Sequence, residues 1–416
     1  MAPEMDELNK RRVERQLRRQ KAVAQRKRKR TMATLLAVAM MIAGGVGLFF
    51  VLRAEEEKEP PQEQVTAATD AVSEDATVIQ LVAAGDVNVS DTIVGSGGVE
   101  YNYTNTFLDV AHLLAEGDIT VLNFEGNLTG SPYGSASHSA PQSLVEELSR
   151  AGVDLVQLAN SYSINQGISG LQATIRSVKE AGMEPLGVYG DEREYKAGKG
   201  YVIREVQGVR IAFVAFTKGM DGMTLPQGSE HCVNVLYKDY DSTYQTVDRD
   251  AINRIMNNVN EENPDLTVAM LHWGSEYNDT ISKSQETIVE ILQGHGVDAI
   301  IGNHPHYVQK MTYDPETGFF VAYSLGDLLS DGQRSGTEYS VILKLDIAKQ
   351  NGVAKVVGYS ITPIFTVAER GGTLRSVRIA ESMAAYDGNY ILRVQESTYN
   401  AMIYALERID ARIKGE

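Results

Sequence analysis

From residue 77 onward, short apolar runs alternate with amphipathic stretches, and this alternation predicts the elements of a folded domain. "TVIQLVAAGDVNVS" reads as a strand that breaks at Gly85-Asp86, and "DITVLNFEGNLTG" repeats the arrangement as far as Asn123 and Glu125. "PQSLVEELSRAG" has helical spacing and leads into the strand-like "VDLVQLANSYSINQG". "GISGLQATIRSVKEAGMEPLGVYG" predicts helix, turn and short strand. "VRIAFVAFT" is a further strand, followed by a looped middle. Helical "DRDAINRIMNNVNEEN" precedes the strand "PDLTVAMLHWGSEY", and helical "SKSQETIVEILQGHG" precedes "VDAIIGNHPHYVQ". "GFFVAYSLGDLL" and several β-rich runs complete the series, which predicts an α/β architecture with at least one largely buried sheet.

The more informative regularity is where polar residues interrupt the apolar strands. The runs end at Asp86, Glu125, Asn160, His272 and His304, and ligands of open α/β sheets gather beyond the carboxyl ends of strands. Five such endings predict one shared site.

Charge divides the chain unequally. Of 39 Lys/Arg and 55 Asp/Glu, residues 1–30 hold twelve and four, which leaves 27 and 51 for the remainder. An acidic bulk excludes a nucleic-acid footprint, so no nucleic-acid partner is expected. Residues 31–52 follow "RKRKR" without a charged side chain; as a helix they would extend about 33 Å. They are expected to form an uncleaved transmembrane anchor, with a cleaved signal peptide as the rival reading. The basic leader, residues 1–30, would then be cytoplasmic and the rest extracellular, a single-pass cell-membrane topology. Residues 53–76 read as an acidic flexible tether, 77–380 as the folded domain, and 381–416 as a C-terminal extension packed on it. With Cys232 alone, no intrachain disulfide is available, and "SEHCVNV" suits packing better than a thiolate nucleophile.

Asp86 in "AAGDVNVS" is a metal-ligand candidate or an Asx turn. Alternation puts Asn123 and Glu125 on one side of their strand, and Glu125 is the candidate shared ligand. Asn127 and Thr129 form a glycosylation sequon. His272 is a candidate ligand or general base, with Trp273 as a pocket wall. His304 and His306 flank the stiff Pro305 and form the strongest local signal. Imidazoles mixed with carboxylates suit one or two divalent ions such as Mn, Zn or Fe better than an oxygen-only calcium site. Such a centre polarises an ester or amide and lowers the pKa of bound water. His112, His138, His231 and His295 are assigned structural or exposed positions.

"AGDVNVS", "VLNFEGNLTG", "LVQLANSYSINQG", "MLHWGSEY", "IIGNHPHYVQ" and "VAYSLGDLLSDG" occur in an order that resembles the bacterial capsule synthesis proteins of the CapA/PgsA (poly-gamma-glutamate synthesis) type. These are related to calcineurin-like metallophosphatases. The resemblance covers roughly residues 78–335 and implies a four-layer α/β/β/α sandwich, metallophosphatase-like, behind the N-terminal transmembrane helix. It implies metal ligation by Asp86, Glu125, Asn160, His272, His304 and His306, with His272 and Tyr162 as the candidates for proton transfer.

One block departs from the family. "ANSYSINQG" stands where A-N-N-H is usual, so Ser161 replaces an amide ligand and Tyr162 a histidine. A phenol with an ordinary pKa near 10 exchanges protons less readily near pH 7 than an imidazole does. Asp327 stands where Asn is common and is expected to support the site or form a turn. The resemblance implies a membrane-anchored extracellular role in capsule or exopolymer synthesis or export, as a metal-dependent hydrolase or transferase. Its implied partners are an anionic exopolymer or cell-surface glycan and a membrane synthase/export complex. A catalytically inactive polymer-binding or assembly protein with a degenerate metal site is the alternative.

Overall fold

The computed structural model describes residues 75–369, 371–387 and 394–416. Strands β1 (Thr77–Asn88), β2 (Ile119–Glu125), β3 (Leu155–Gln157) and β4 (Glu184–Leu186) lie side by side and parallel. The chain then builds a second sheet from β5 (Tyr201–Val206), β6 (Val209–Thr217), β7 (Leu266–His272), β8 (Ala299–Asn303), β9 (Met311–Tyr313) and β10 (Phe320–Ala322), ordered β5-β6-β7-β8-β10-β9. It returns through β11 (Asp327–Leu329), β12 (Tyr339–Gln350), β13 (Val353–Ala368) and β14 (Leu374–Arg378), giving a first sheet ordered β14-β13-β12-β1-β2-β3-β4 with β11 paired to β1.

The period-two alternation of the strands sorts their side chains into three apolar layers. Ile79, Leu81, Val121 and Leu155 face Ile211, Phe213, Val268, Met270 and Ile301 between the sheets. On the outer face of the first sheet, Val82, Leu122, Phe124 and Val156 meet Leu144, Leu148, Leu171 and Ile175 from helices Gln142–Arg150 and Gly167–Glu180. On the outer face of the second, Val214, Phe216, Leu271 and Ile300 meet Ile252, Ile255, Met256, Ile288 and Leu292 from helices Arg249–Glu261 and Lys283–Gly294. The result is an α/β/β/α sandwich. Met402, Ala405, Ile409 and Ile413 of helix Glu396–Lys414 are buried in the layer between the sheets.

A recurring local device fixes the amino ends of the parallel strands. Asp118, Asp154, Asp265 and Asp298 each stand one residue before a strand (β2, β3, β7 and β8). Each carboxylate accepts a backbone N–H at the start of the neighbouring strand: Gln80, Thr120, Arg210 and Thr267, at 2.8, 2.8, 2.7 and 2.8 Å. Buried backbone donors at a sheet end need such partners.

The expectation of a transmembrane helix is corrected here. Among the described residues, no helix is long and apolar enough to cross a membrane. The longest, Glu396–Lys414, carries Glu407, Arg408, Asp410 and Arg412 within successive turns, which a hydrocarbon span does not tolerate. The apolar run 31–52 lies outside the described residues, as do the leader and all but the last two residues of the tether. Among the described residues the fold is an α/β sandwich without a spanning helix, which does not support the expected membrane-anchored function, membrane partners and single-pass localisation.

Candidate metal centre

The inward register that supplies apolar side chains along each strand continues at the carboxyl end into polar ones. On β2, Ile119 and Val121 give way to Asn123 and Glu125; on β7, Val268 and Met270 give way to His272; on β8, Ile301 gives way to Asn303. All of these side chains are buried. Asp86 ends its run in β1, which is parallel to β11 in a register that sets Asp86 opposite Asp327. The carboxylates Asp86, Glu125 and Asp327 therefore come from the first sheet, and the imidazoles His272, His304 and His306 from β7 and the chain just beyond β8.

Close backbone approach holds these ends in place. A Cβ on Gly85, next to Asp86, would lie 1.8 Å from the Gly326 carbonyl oxygen. One on Gly302 would lie 2.0 Å from the Tyr323 oxygen and 2.4 Å from Trp273 Nε1. Beyond β8, His304 and His306 adopt φ values of 91° and 58°. Non-glycine residues rarely occupy this region, and holding them there costs about 1–3 kcal/mol each. The backbone N–H of His304 donates to Asp86 Oδ2 at 3.0 Å, locking the turn against the first sheet.

The donors fall into three overlapping groups: Glu125, His272 and His304; Asp86, His306 and Asp327; and Glu276, His304 and His306. In each, the candidate ligand atoms lie within 4.8 Å of one another. His272 Nε2 is 3.1 Å from Glu125 Oε1. His306 Nδ1 is 2.9 Å from Asp327 Oδ1 and 3.4 Å from Asp86 Oδ2. The His304 and His272 rings are 4.4 Å apart between centroids.

Electrostatics divide the imidazoles into two kinds. Burial, followed by the charge of Lys218, holds His272 well below the usual histidine range; burial, followed by His272, does the same to His304. Both rings are thereby kept neutral with lone pairs to offer, as metal ligation requires. Burial also works to lower His306, but Asp327, Asp86 and Glu125 outweigh it and raise its pKa well above the usual value. Burial and then Asp86 push Glu125 well above the carboxylate range, and burial pushes Asp327 up to about 7.

The residues fit a divalent ion. Both ring nitrogens of His304, and Nδ1 of His272, are buried without a hydrogen-bond partner. Unpartnered buried donors and acceptors are costly in a folded protein, and an ion would remove that cost at one of the two His304 nitrogens. Neutral imidazoles with carboxylates form a mixed N/O donor set of the kind divalent transition metals take.

Five of the sequence candidates, Asp86, Glu125, His272, His304 and His306, meet at this centre. Asn160 sits at the same strand end, but its Nδ2 donates to Asn123 Oδ1 at 3.2 Å and to the Phe124 oxygen at 2.6 Å, while Oδ1 accepts the Tyr162 N–H at 3.1 Å. Those bonds hold the "ANSYSINQG" turn. Ser161 faces the centre: its N–H donates to His272 Nε2 at 3.2 Å and its Oγ lies 3.0 Å from the same atom. Tyr162 lines the mouth, stacked on His138 at 3.7 Å between ring centroids. Its phenol is raised above its ordinary value by burial and then by Glu125, so it keeps its proton.

Trp273 is not the expected pocket wall. One residue beyond His272, it points to the other face, fully buried in the outer layer with Nε1 donating to the Tyr323 oxygen at 2.9 Å. His138 lines the mouth rather than standing apart from the site. Asn127 of the sequon is buried. Two contributors carried little sequence signal. Asp327 lies in a three-residue strand, and Glu276 is an exposed loop residue after Trp-Gly. Above the centre opens a cavity of about 530 Å³ lined by Asn88, Tyr162, Glu276, Tyr277, His306 and Asp327 among others.

This α/β domain is a paired-sheet sandwich that brings imidazoles and carboxylates together at its strand ends, where the donors could hold a divalent metal ion. The chain belongs to the family described as bacterial capsule synthesis protein PGA_cap, whose model matches residues 80–332. It is 27% identical over 216 residues to the capsule biosynthesis protein CapA of Bacillus anthracis, covering 52% of this chain and 49% of that protein. It is 23% identical over 220 residues to the PGA biosynthesis protein CapA of Bacillus subtilis (strain 168), covering 53% of each. The chain thus spans about half the length of the curated relatives it matches. A novel phosphatase from Mycoplasma pneumoniae is similar at 15% identity and a TM-score of 0.43, over 70% of this chain and 94% of that one; a likeness at this level carries no inference about the site.

Proposed function

We propose that the chain is a metal-dependent hydrolase or transferase acting on an ester, phosphoester or amide bond of a capsule-type exopolymer, with Mn, Zn or Fe as the ion. One observation carries the metal dependence: His304, buried with both ring nitrogens unpartnered, stands within donor reach of Glu125 and His272. Family membership and the relatives' names support the polymer assignment.

Glu125, His272 and His304 would hold one ion, and Asp86, His306 and Asp327 a second. Bound there, the metal supplies Lewis acidity toward the oxygen of the bond under attack. The chain's own groups prepare the site. Asp327 orients His306 through Nδ1, Asp86 fixes the turn at His304, and Ser161 presents an N–H and a hydroxyl beside His272. Burial raises Glu125 and the surrounding carboxylates raise His306, so both favour a proton that loading of the site would displace.

The test is metal analysis of the purified protein with phosphodiester and peptide hydrolysis assays. Bound metal, and loss of a measured activity in His304→Ala, are expected. Absence of metal together with unaltered activity in that variant defeats the reading. A second reading, an assembly or polymer-binding protein, is favoured by Ser161 and Tyr162 in place of an amide and an imidazole. Metal binding without turnover would select it.

A further inference from the structure

The cavity over the centre contains one feature that metal chemistry does not require. Arg334 is the only Arg or Lys among the described residues that line it. Glu276 and Asp331 line the same cavity, yet Arg334 forms no ion pair with any described carboxylate. Its guanidinium lies over the Tyr277 ring instead, 4.9 Å from the centroid.

This placement is built rather than incidental to a free side chain. Tyr277 holds φ 56°, and its N–H donates to the Pro305 oxygen, between the two site histidines, at 2.9 Å. Its ring lies 5.3 Å from that of His306. On the arginine's side, Thr337 Oγ1 donates to the Arg334 oxygen at 2.9 Å, and Tyr307 Oη donates to the Ser335 oxygen at 2.8 Å. Both partners of the stack are therefore tied to the segment His304–Tyr307. A guanidinium resting its face on an aromatic ring keeps its edge N–H groups free, and that planar fork matches a carboxylate or phosphate.

We propose that Arg334 is a specificity-determining residue that receives an anionic group of the substrate, carboxylate or phosphate, adjacent to the bond presented to the metal centre. This rests on the reading of that centre as the reacting site. Neutral polymers would lack the group, so the site selects a chain with anionic oxygens next to the reacting position. Asp327, Asp331 and Glu276 around the same cavity disfavour an anion placed elsewhere in it, which focuses recognition on the arginine.

The experiment is calorimetric titration of the full chain, with and without manganese, using three probes: pentaglutamate, pyrophosphate and neutral pentaglutamine. At least one anionic probe should bind more tightly than pentaglutamine, and the stronger of the two identifies the source as carboxylate or phosphate. Arg334→Gln should weaken that probe about tenfold or more, the loss expected for a charge-assisted bidentate contact. Arg334→Lys should recover only part of the affinity, because a point charge cannot reproduce the fork. Equal probe affinity in Arg334→Gln, or no preference over pentaglutamine, overturns the assignment. Manganese titration of the same samples separates the two claims. Failure of the wild type to bind manganese defeats the metal reading, whereas normal manganese binding with unaltered probe affinity defeats only Arg334.

Discussion

The ring of His306 points Nδ1 at Asp327 Oδ1, 2.9 Å away, and Asp86 Oδ2 lies 3.4 Å from the same nitrogen. Two buried carboxylates thus converge on one imidazole nitrogen and hold it protonated when no ion is present. Metal must displace that proton. Apparent metal affinity should therefore rise with pH through and above the ordinary histidine range and weaken as pH falls. Calorimetry in buffers of differing ionisation enthalpy should show protons released on binding at pH 7. A proton count of zero there would contradict the arrangement.

The family resemblance leads to the expectation of a histidine at Tyr162, but the Tyr162 phenol is raised above its ordinary value by burial and its ring is stacked on His138. Its contribution is expected to be the ring. Tyr162→Phe should retain the hydrolytic rate to within about threefold, well short of the 10²–10⁴-fold typical of removing a general acid or base. Tyr162→His should gain rate most on substrates with poor leaving groups. Steady-state assays on two esters of different leaving-group pKa check both, and collapse of the Phe variant would make the phenol a proton donor.

Gly302 is constrained by sterics rather than by backbone angle, since a Cβ would meet the Tyr323 oxygen and Trp273 Nε1 well inside contact distance. Gly302→Ala should force β8 away from its neighbours and cost about 1–3 kcal/mol or more. It should also lower metal affinity, because His304 and His306 follow directly. Urea unfolding and a metal titration on the same sample read the two effects, and a variant unchanged in both would show that the strand end shifts freely.

Asp298, one of the carboxylates at the strand starts, is pushed up to about 6 by burial, against the Thr267 N–H bond that lowers it. Its folded pKa exceeds the unfolded value near 3.9. The folded state therefore holds more protons across that interval, and this contribution to stability is present below about pH 4 and lost as pH rises through about 6. Asp298→Asn keeps an acceptor for Thr267 and removes the charge. It should be more stable than wild type at pH 7 by about 1–2 kcal/mol, with the difference vanishing near pH 4. Unfolding midpoints at pH 4, 5, 6 and 7 test this; equal midpoints at pH 7 would refute it.

An α/β architecture with a buried sheet, and the strand ends that bear much of the centre, were legible in the patterning of the chain, whereas the four-layer sandwich was implied by the family resemblance. A strand that ends its inward register in Glu125 or His272 points to a site, since a buried carboxylate or imidazole is costly without a partner. The same logic explains the misreading of Trp273, which is one residue out of phase with His272 and so belongs to the opposite face. Asp327 was open between supporting the site and forming a turn, because its role depends on parallel pairing with β1, a contact between residues 241 positions apart in register. Glu276 and Arg334 reach the cavity from loops, where no periodicity marks direction. Asn160 was placed at the correct end, but its amide is committed to Asn123, Phe124 and Tyr162, commitments that only three-dimensional proximity reveals.

The division of donors between the sheets has a consequence for assembly. Asp86, Glu125 and Asp327 come from one half of the sandwich and the imidazoles from the other, so neither the group Glu125, His272 and His304 nor the group Asp86, His306 and Asp327 is complete before the two close on each other. The residues that would hold an ion there would thus be clasped across the closure only when the halves have met in the correct alignment. Slippage of either sheet by one residue would turn its donors outward and leave the clasp without a counterpart. Closure of the fold and completion of the candidate metal centre would then be one event.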